Sequence, residues 1–178
     1  KLIEELGTSE KMEFEFPLIK LPKWLGQNIK LEESELTKQK FDIVNKNNGN
    51  LVFCELKMKV YSGCTAGRIE LMGKFNKFTK LIIKNQVFRN CLKNASIKNI
   101  FLIGGILFDI QGEPATAQKD KEFGLCYNGL IQGKNDIIKT LKDNNVEYKI
   151  DEEKLPEQDF LIKFIIDGIK VNIIAVYG

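Results

Sequence analysis

The chain of 178 residues contains no histidine. That absence excludes Ser-His-Asp and Cys-His hydrolysis, HNH-type chemistry and His-containing zinc sites, because each needs an imidazole as base or ligand. Cysteine is sparse. Cys54, Cys64, Cys91 and Cys126 form no CxxC pair, so a zinc ribbon is not indicated. Unpaired thiols in a reducing cytoplasm are the simplest account of them. No apolar run reaches the roughly 18 residues that a membrane-crossing helix needs; the longest, Ile100–Ile110, has the length of a buried strand. No secretory signal, internal repeat or low-complexity tract is visible, and the first residue is Lys1 rather than methionine, which leaves room for a preceding segment. Strong charge of either sign is also missing. A net charge of +3 permits a nucleic-acid partner without demanding one. Carboxylate, lysine and metal chemistry remain.

Hydrophobic residues make up 43% of the chain, enough for a globular domain with a substantial core. The patterning predicts an α/β fold with a central mixed sheet flanked by helices. Glu13–Leu21 alternates, and Pro17 and Pro22 mark it as an edge strand or arm. Trp24 reads first as a packing anchor. A helix is expected from a cap at Ser62 or Thr65 to about Leu92, with Leu71, Phe75, Phe78 and Ile82 as its apolar stripe and Lys74, Lys77, Lys80 and Lys84 largely off it. Asn99–Ile110 is apolar throughout, as in a central strand covered on both faces and parallel to its predecessor. Gly124–Gln132 reads as a strand and Asn135–Asn144 as a short helix capped at Asn135. Phe160–Ile166 and Ile169–Tyr177 alternate around Asp167-Gly168, the strongest hairpin signal in the chain.

One stretch carries chemistry: Phe41–Arg68, FDIVNKNNGNLVFCELKMKVYSGCTAGR. Two apolar runs flank a polar Asn/Gly turn, which reads as a hairpin. Side chains alternate along a strand, so Phe53, Glu55, Lys57 and Lys59 share one face. Val52, Cys54, Leu56 and Met58 share the other, which is expected to be the buried one. Asp42 lies across the turn. Two carboxylates suffice for a hard divalent cation such as Mg²⁺, which keeps several waters and accepts a substrate phosphate as a further ligand. The metal stabilises phosphate charge and acidifies a bound water; a lysine on the same face orients or deprotonates that water. The start of the following helix offers free N–H groups and a positive dipole end. Ser62, Thr65 and Arg68 add donors and a charge there for a phosphate.

Asp42, followed by Glu55-Leu56-Lys57, resembles the motif of the PD-(D/E)xK nuclease superfamily. The resemblance covers roughly residues 41–110: a hairpin with the acids, a long helix, then an apolar strand. Phe41 stands where the motif has proline. Within the superfamily, a compact chain of this length is most similar to a type II restriction endonuclease. The resemblance implies a restriction-endonuclease-like fold. It also implies Mg²⁺ (or Mn²⁺) held by Asp42 and Glu55, Lys57 acting on the water, double-stranded DNA as substrate, and a homodimer whose two-fold axis matches the DNA. The helix around Phe75–Phe88 or the C-terminal hairpin would supply the dimer interface. An additional acid on a helix before the motif is common in the superfamily; Glu32, Glu33 and Glu35 are candidates, as is Glu70 after it.

The whole chain, 1–178, is then expected to be a single nuclease domain: an N-terminal arm or helical region over 1–40, a catalytic core over 41–110 and a C-terminal part over 111–178 with a DNA-contacting loop and a terminal hairpin. The polar stretch Gln111–Phe123 reads as a surface loop, and Gln111, Gln118, Lys119 and Lys121 have donors for base edges or phosphates. Two other readings stay open: a repair nuclease or junction resolvase with the same motif, and a non-catalytic α/β binding domain in which Glu55 and Lys57 are ordinary surface charges.

Overall fold

A computed structural model describes residues 11–34, 37–59, 64–108, 133–151 and 160–176, with side chains described outside 57–59, 64–69, 105–108, 151, 160–162 and 174–176. The chain is α/β. Strands β1 (Lys11–Pro17), β2 (Lys40–Asn47), β3 (Asn50–Lys59), β4 (Asn99–Phe108), β5 (Tyr148–Asp151), β6 (Phe160–Ile166) and β7 (Ile169–Val176) form one seven-stranded sheet in the order β1-β2-β3-β4-β7-β6-β5. The first three make an antiparallel meander. β4 is parallel to both β3 and β7, and β7-β6-β5 is antiparallel. The helices are α1 (Leu21–Trp24), α2 (Cys64–Lys84), α3 (Gln86–Asn94) and α4, over 133–143. The mixed sheet, the helix crossing between β3 and β4 and the C-terminal hairpin match the sequence reading.

Both short turns follow their residues. Asn48 adopts φ +52° between β2 and β3. Asp167 and Gly168, both at positive φ (50° and 81°), form the two-residue link of β6 to β7, as Asp-Gly favours. The single long helix expected to run to Leu92 is two helices. Asn85 is extended (φ −120°, ψ 97°) and its side chain accepts from the Phe88 N–H at 3.0 Å. It ends one helix and caps the next, because an Asn carbonyl satisfies a first-turn N–H that the broken helix would leave bare. The chain is already helical at residue 133, so Asn135 lies inside α4 and is not its cap. The strand expected over Gly124–Gln132 lies outside the described residues.

The core sits between the sheet and α2. Leu71, Phe75, Phe78 and Ile82 are fully buried. Phe78 packs on Phe41, Phe53 and Phe88 with ring centroids 5.7, 4.7 and 6.2 Å apart. This apolar face of α2 is used within its own chain and is not available as a dimer surface. Gly104 of β4 lets the helix approach. A Cβ there would lie 3.0 Å from Leu71 Cδ1 and 3.1 Å from Phe75 Cε2. Both neighbours are buried and cannot swing clear, so Gly104→Ala is expected to destabilise the protein by about 1–2 kcal/mol through overpacking, read as a lower urea midpoint. The opposite face of the sheet is less covered among the described residues. Cys54, Phe101 and Ile103 are half-buried there, and Leu56 is 47% exposed. Among the described residues β4 is covered fully on one face and partly on the other.

A buried arginine ties the helices to the hairpin. Arg89 of α3 donates from Nη1 to the Ile82 carbonyl (2.8 Å) and to the Ile83 carbonyl, from Nη2 to Gln86 Oε1 (2.6 Å), and from Nε to Asp167 Oδ2 (3.1 Å). Lys93 Nζ reaches the same carboxylate oxygen at 2.8 Å. The hydrogen bond from Lys93 is the chief influence holding the Asp167 carboxyl below its ordinary value of 3.8, with partial burial opposing it and Arg89 assisting. A depressed carboxylate stabilises the fold above its unfolded pKa, and that contribution disappears as pH falls through the folded value. Stability is thus expected to drop on acidification below about pH 4. Asp167→Asn should flatten that part of the curve, read as Tm against pH.

Candidate functional site

The site grows from a fault in the alternation of β2. Val44 pairs with Phe53 and shares its face, yet Phe41, three residues earlier, also contacts Phe53, ring centroids 4.9 Å apart, and Phe78. Both Phe41 and Val44 are buried, so the alternation slips by one residue between them. The β2–β3 pairing stops at Ile43↔Cys54. Just beyond it, the Leu56 N–H donates to Asp42 Oδ2 at 2.7 Å in place of a strand carbonyl. On the other side Glu15 falls opposite Asp42, between Phe14↔Ile43 and Phe16↔Phe41, with φ +50°. Local irregularity of this kind re-aims side chains and is over-represented beside active sites. Its consequence is direct: the Asp42 carboxylate is held at the peptide that follows Glu55.

Glu55 lies on the helix-covered face with Phe53 and is 7% exposed. Here, among the described side chains, the expected assignment of faces holds only at Val52, which is buried. The Phe53–Glu55 face is buried, while Cys54 is half-buried and Leu56 exposed. Both faces of β3 carry apolar residues, so alternation defines two faces without telling which one α2 covers. Glu55 Oε2 accepts from Lys74 Nζ at 2.5 Å. That ammonium also donates to the Lys40 carbonyl and stands 4.6 Å from the centroid of the Phe41 ring, a cation–π distance. Lys74 is the site residue missed at the sequence level. It lies three residues after Leu71 and four before Phe78, so it borders the apolar stripe instead of the solvated face. Cys54, on the open face, has its thiol pushed up by burial and by the Asp42 charge. It is therefore poorly suited to act as a thiolate nucleophile.

The other sequence-level candidates divide into three groups. Lys57 belongs to β3, its backbone in register with Ile106, but its side chain is outside the described set. The same holds for Thr65 and Arg68, whose backbone is helical near the start of α2. Ser62, Glu35, Gln111, Gln118, Lys119 and Lys121 lie outside the described residues altogether. Glu32 and Glu33 are exposed on the irregular segment before β2, and Glu70 is exposed on α2. Among the described residues no group of three or more His, Cys, Asp or Glu side chains is placed to hold a metal. No third acid is found there beside Asp42 and Glu55. Trp24 is a packing residue: it meets Phe16 edge-on (5.4 Å), and Lys11 covers its ring at 4.7 Å.

Chemically the arrangement offers two hard oxygen donors, one at the peptide following the other, with an ammonium already on one of them. Mg²⁺ is commonly bound by one or two carboxylates, its remaining positions going to water and phosphate; the donor set fits that requirement. None of the described helices is long and apolar enough to cross a membrane. Comparison with protein-family models, curated proteins and solved structures finds no match for this chain.

Proposed function

We propose that the protein is a Mg²⁺-dependent endodeoxyribonuclease that hydrolyses phosphodiester bonds in double-stranded DNA, most similar to a type II restriction enzyme and acting in the cytoplasm. The observation that carries the reading is the Asp42 Oδ2 bond to the Leu56 N–H. An acid of β2 that meets the peptide after Glu55 supports the motif reading. The order of elements supports it: a meander bearing both acids, a crossing helix, then a parallel apolar strand. Under this reading Asp42 and Glu55 hold the metal (Mg²⁺, or Mn²⁺ in its place), which when bound supplies Lewis-acid stabilisation of the phosphate and a more acidic water. Lys57, two residues beyond Glu55 on β3, orients or deprotonates the water. Ser62, Thr65 and Arg68, around the start of α2, grip the adjoining phosphate. Gln111, Gln118, Lys119 and Lys121 contact bases or backbone. Two copies related by a two-fold axis cut the two strands.

The buried Glu55–Lys74 pair favours a second reading, a non-catalytic domain in which that pair is structural. The deciding experiment incubates the folded protein with plasmid duplex, single strands and four-way junctions, each with Mg²⁺ and with excess chelator. Discrete, reproducible fragments from duplex DNA with Mg²⁺ alone are the expected result. Preferential cutting of junctions would move the assignment to a resolvase of the same superfamily. No cutting of any DNA with Mg²⁺ or Mn²⁺ would leave the binding domain.

A further inference from the structure

The seat of Lys74 is built for a cation. Its ammonium is held by the Glu55 carboxylate (2.5 Å), the Lys40 carbonyl and the face of Phe41 (4.6 Å). Lys40 is the first residue of β2 and Phe41 the second, so two of these three groups immediately precede Asp42. The Glu55 side chain is 9% exposed and that of Lys74 21%. A negative charge this sheltered is costly without a positive partner, and Lys74 supplies one. A divalent cation on Glu55 would sit within a few ångströms of the ammonium, where two positive charges repel strongly at low dielectric. Resting on the reading of Asp42 and Glu55 as metal ligands, we propose that Lys74 is the resident cation of this site. Its ammonium holds Glu55 in place until a divalent cation displaces it, and metal affinity is set by that competition. Lys74 is then a positioning residue. Once released, it remains on α2 beside the site as a positive charge available to a substrate phosphate.

The test measures Mn²⁺ binding to the whole chain without DNA, from the loss of the free-ion electron paramagnetic resonance signal. Lys74→Met removes the charge and keeps much of the length. With the like charge removed it is expected to bind Mn²⁺ about 10-fold more tightly than the parent, whereas Lys74→Arg, which restores a cation, should bind no more tightly than the parent. A second readout uses the unaltered protein and does not depend on a variant folding. Lysine methylation with formaldehyde and borohydride, mapped by mass spectrometry, should increase several-fold at Lys74 when saturating Mg²⁺ is added, with the exposed Lys77 as an unchanged control. Unaltered Mn²⁺ affinity in Lys74→Met, or Lys74 equally protected with the metal demonstrably bound, overturns the proposal. The metal site itself fails separately if Glu55→Gln binds Mn²⁺ as the parent does.

Discussion

Under the proposed nuclease reading, Asp42→Asn is expected to lower Mg²⁺-dependent DNA cleavage by about 10³-fold or more while leaving the fold intact. The substitution separates two roles of one side chain. Asp42 accepts a hydrogen bond from the Leu56 N–H, and an Asn carbonyl oxygen accepts that same bond, so the irregular end of the β2–β3 pairing keeps its partner. What disappears is the negative charge that a hard cation requires. Glu55→Gln should inactivate to a similar degree but with a larger structural penalty, because it leaves the Lys74 ammonium partly buried against a neutral amide. Cleavage rates at saturating Mg²⁺, set beside Tm for each variant, check both statements. Parent-like cleavage by Asp42→Asn would remove Asp42 from the site.

The largest effect on stability is expected at Arg89. Arg89→Ala should lower the unfolding free energy by about 2–4 kcal/mol, mainly by leaving the carbonyls it serves unsatisfied, since the Asp167 side chain is 32% exposed. One side chain here satisfies the Ile82 and Ile83 carbonyls at the end of α2, Gln86 in α3 and Asp167 in the β6–β7 turn. Its removal leaves helix-terminal carbonyls bare in the core and takes one of two cations from Asp167. Arg89→Lys should recover only part of the loss, since a single ammonium cannot reproduce the planar fork that faces these acceptors together. Urea unfolding gives the measurement: a lower midpoint at unchanged slope. Well below the melting temperature, cleavage by Arg89→Ala should match the parent, which separates this clamp from the site around Glu55.

The part of the site that was legible in the sequence is the set of residue types and their order. Asp42 and Glu55-Leu56-Lys57 stand on apolar runs joined by an Asn/Gly turn, and local propensity suffices to make that hairpin. Its environment was not legible. Lys74 lies nineteen residues after Glu55, on another element, and its meeting with Glu55 depends on how α2 packs across β3. The slip between Phe41 and Val44 was equally hidden. Regular alternation predicts Asp42 on one face, whereas the packing of Phe41 against Phe53 and Phe78 moves the neighbouring carboxylate toward the strand edge. The break at Asn85 could have been anticipated from its capping side chain, but the strong apolar periodicity on both sides concealed it.

Local sequence determined the strands, the two tight turns, the crossing helix and the absence of imidazole chemistry, because turn residues, periodicity and composition act over a few residues or over the whole chain regardless of contacts. The tertiary structure alone decided which face of β3 is buried, which cation Glu55 meets and where the Asp42 carboxylate is held. Those outcomes depend on non-local packing of α2 and β2 against a strand that is apolar on both faces, so that either face could have been the covered one until Phe53, Phe78 and Gly104 met.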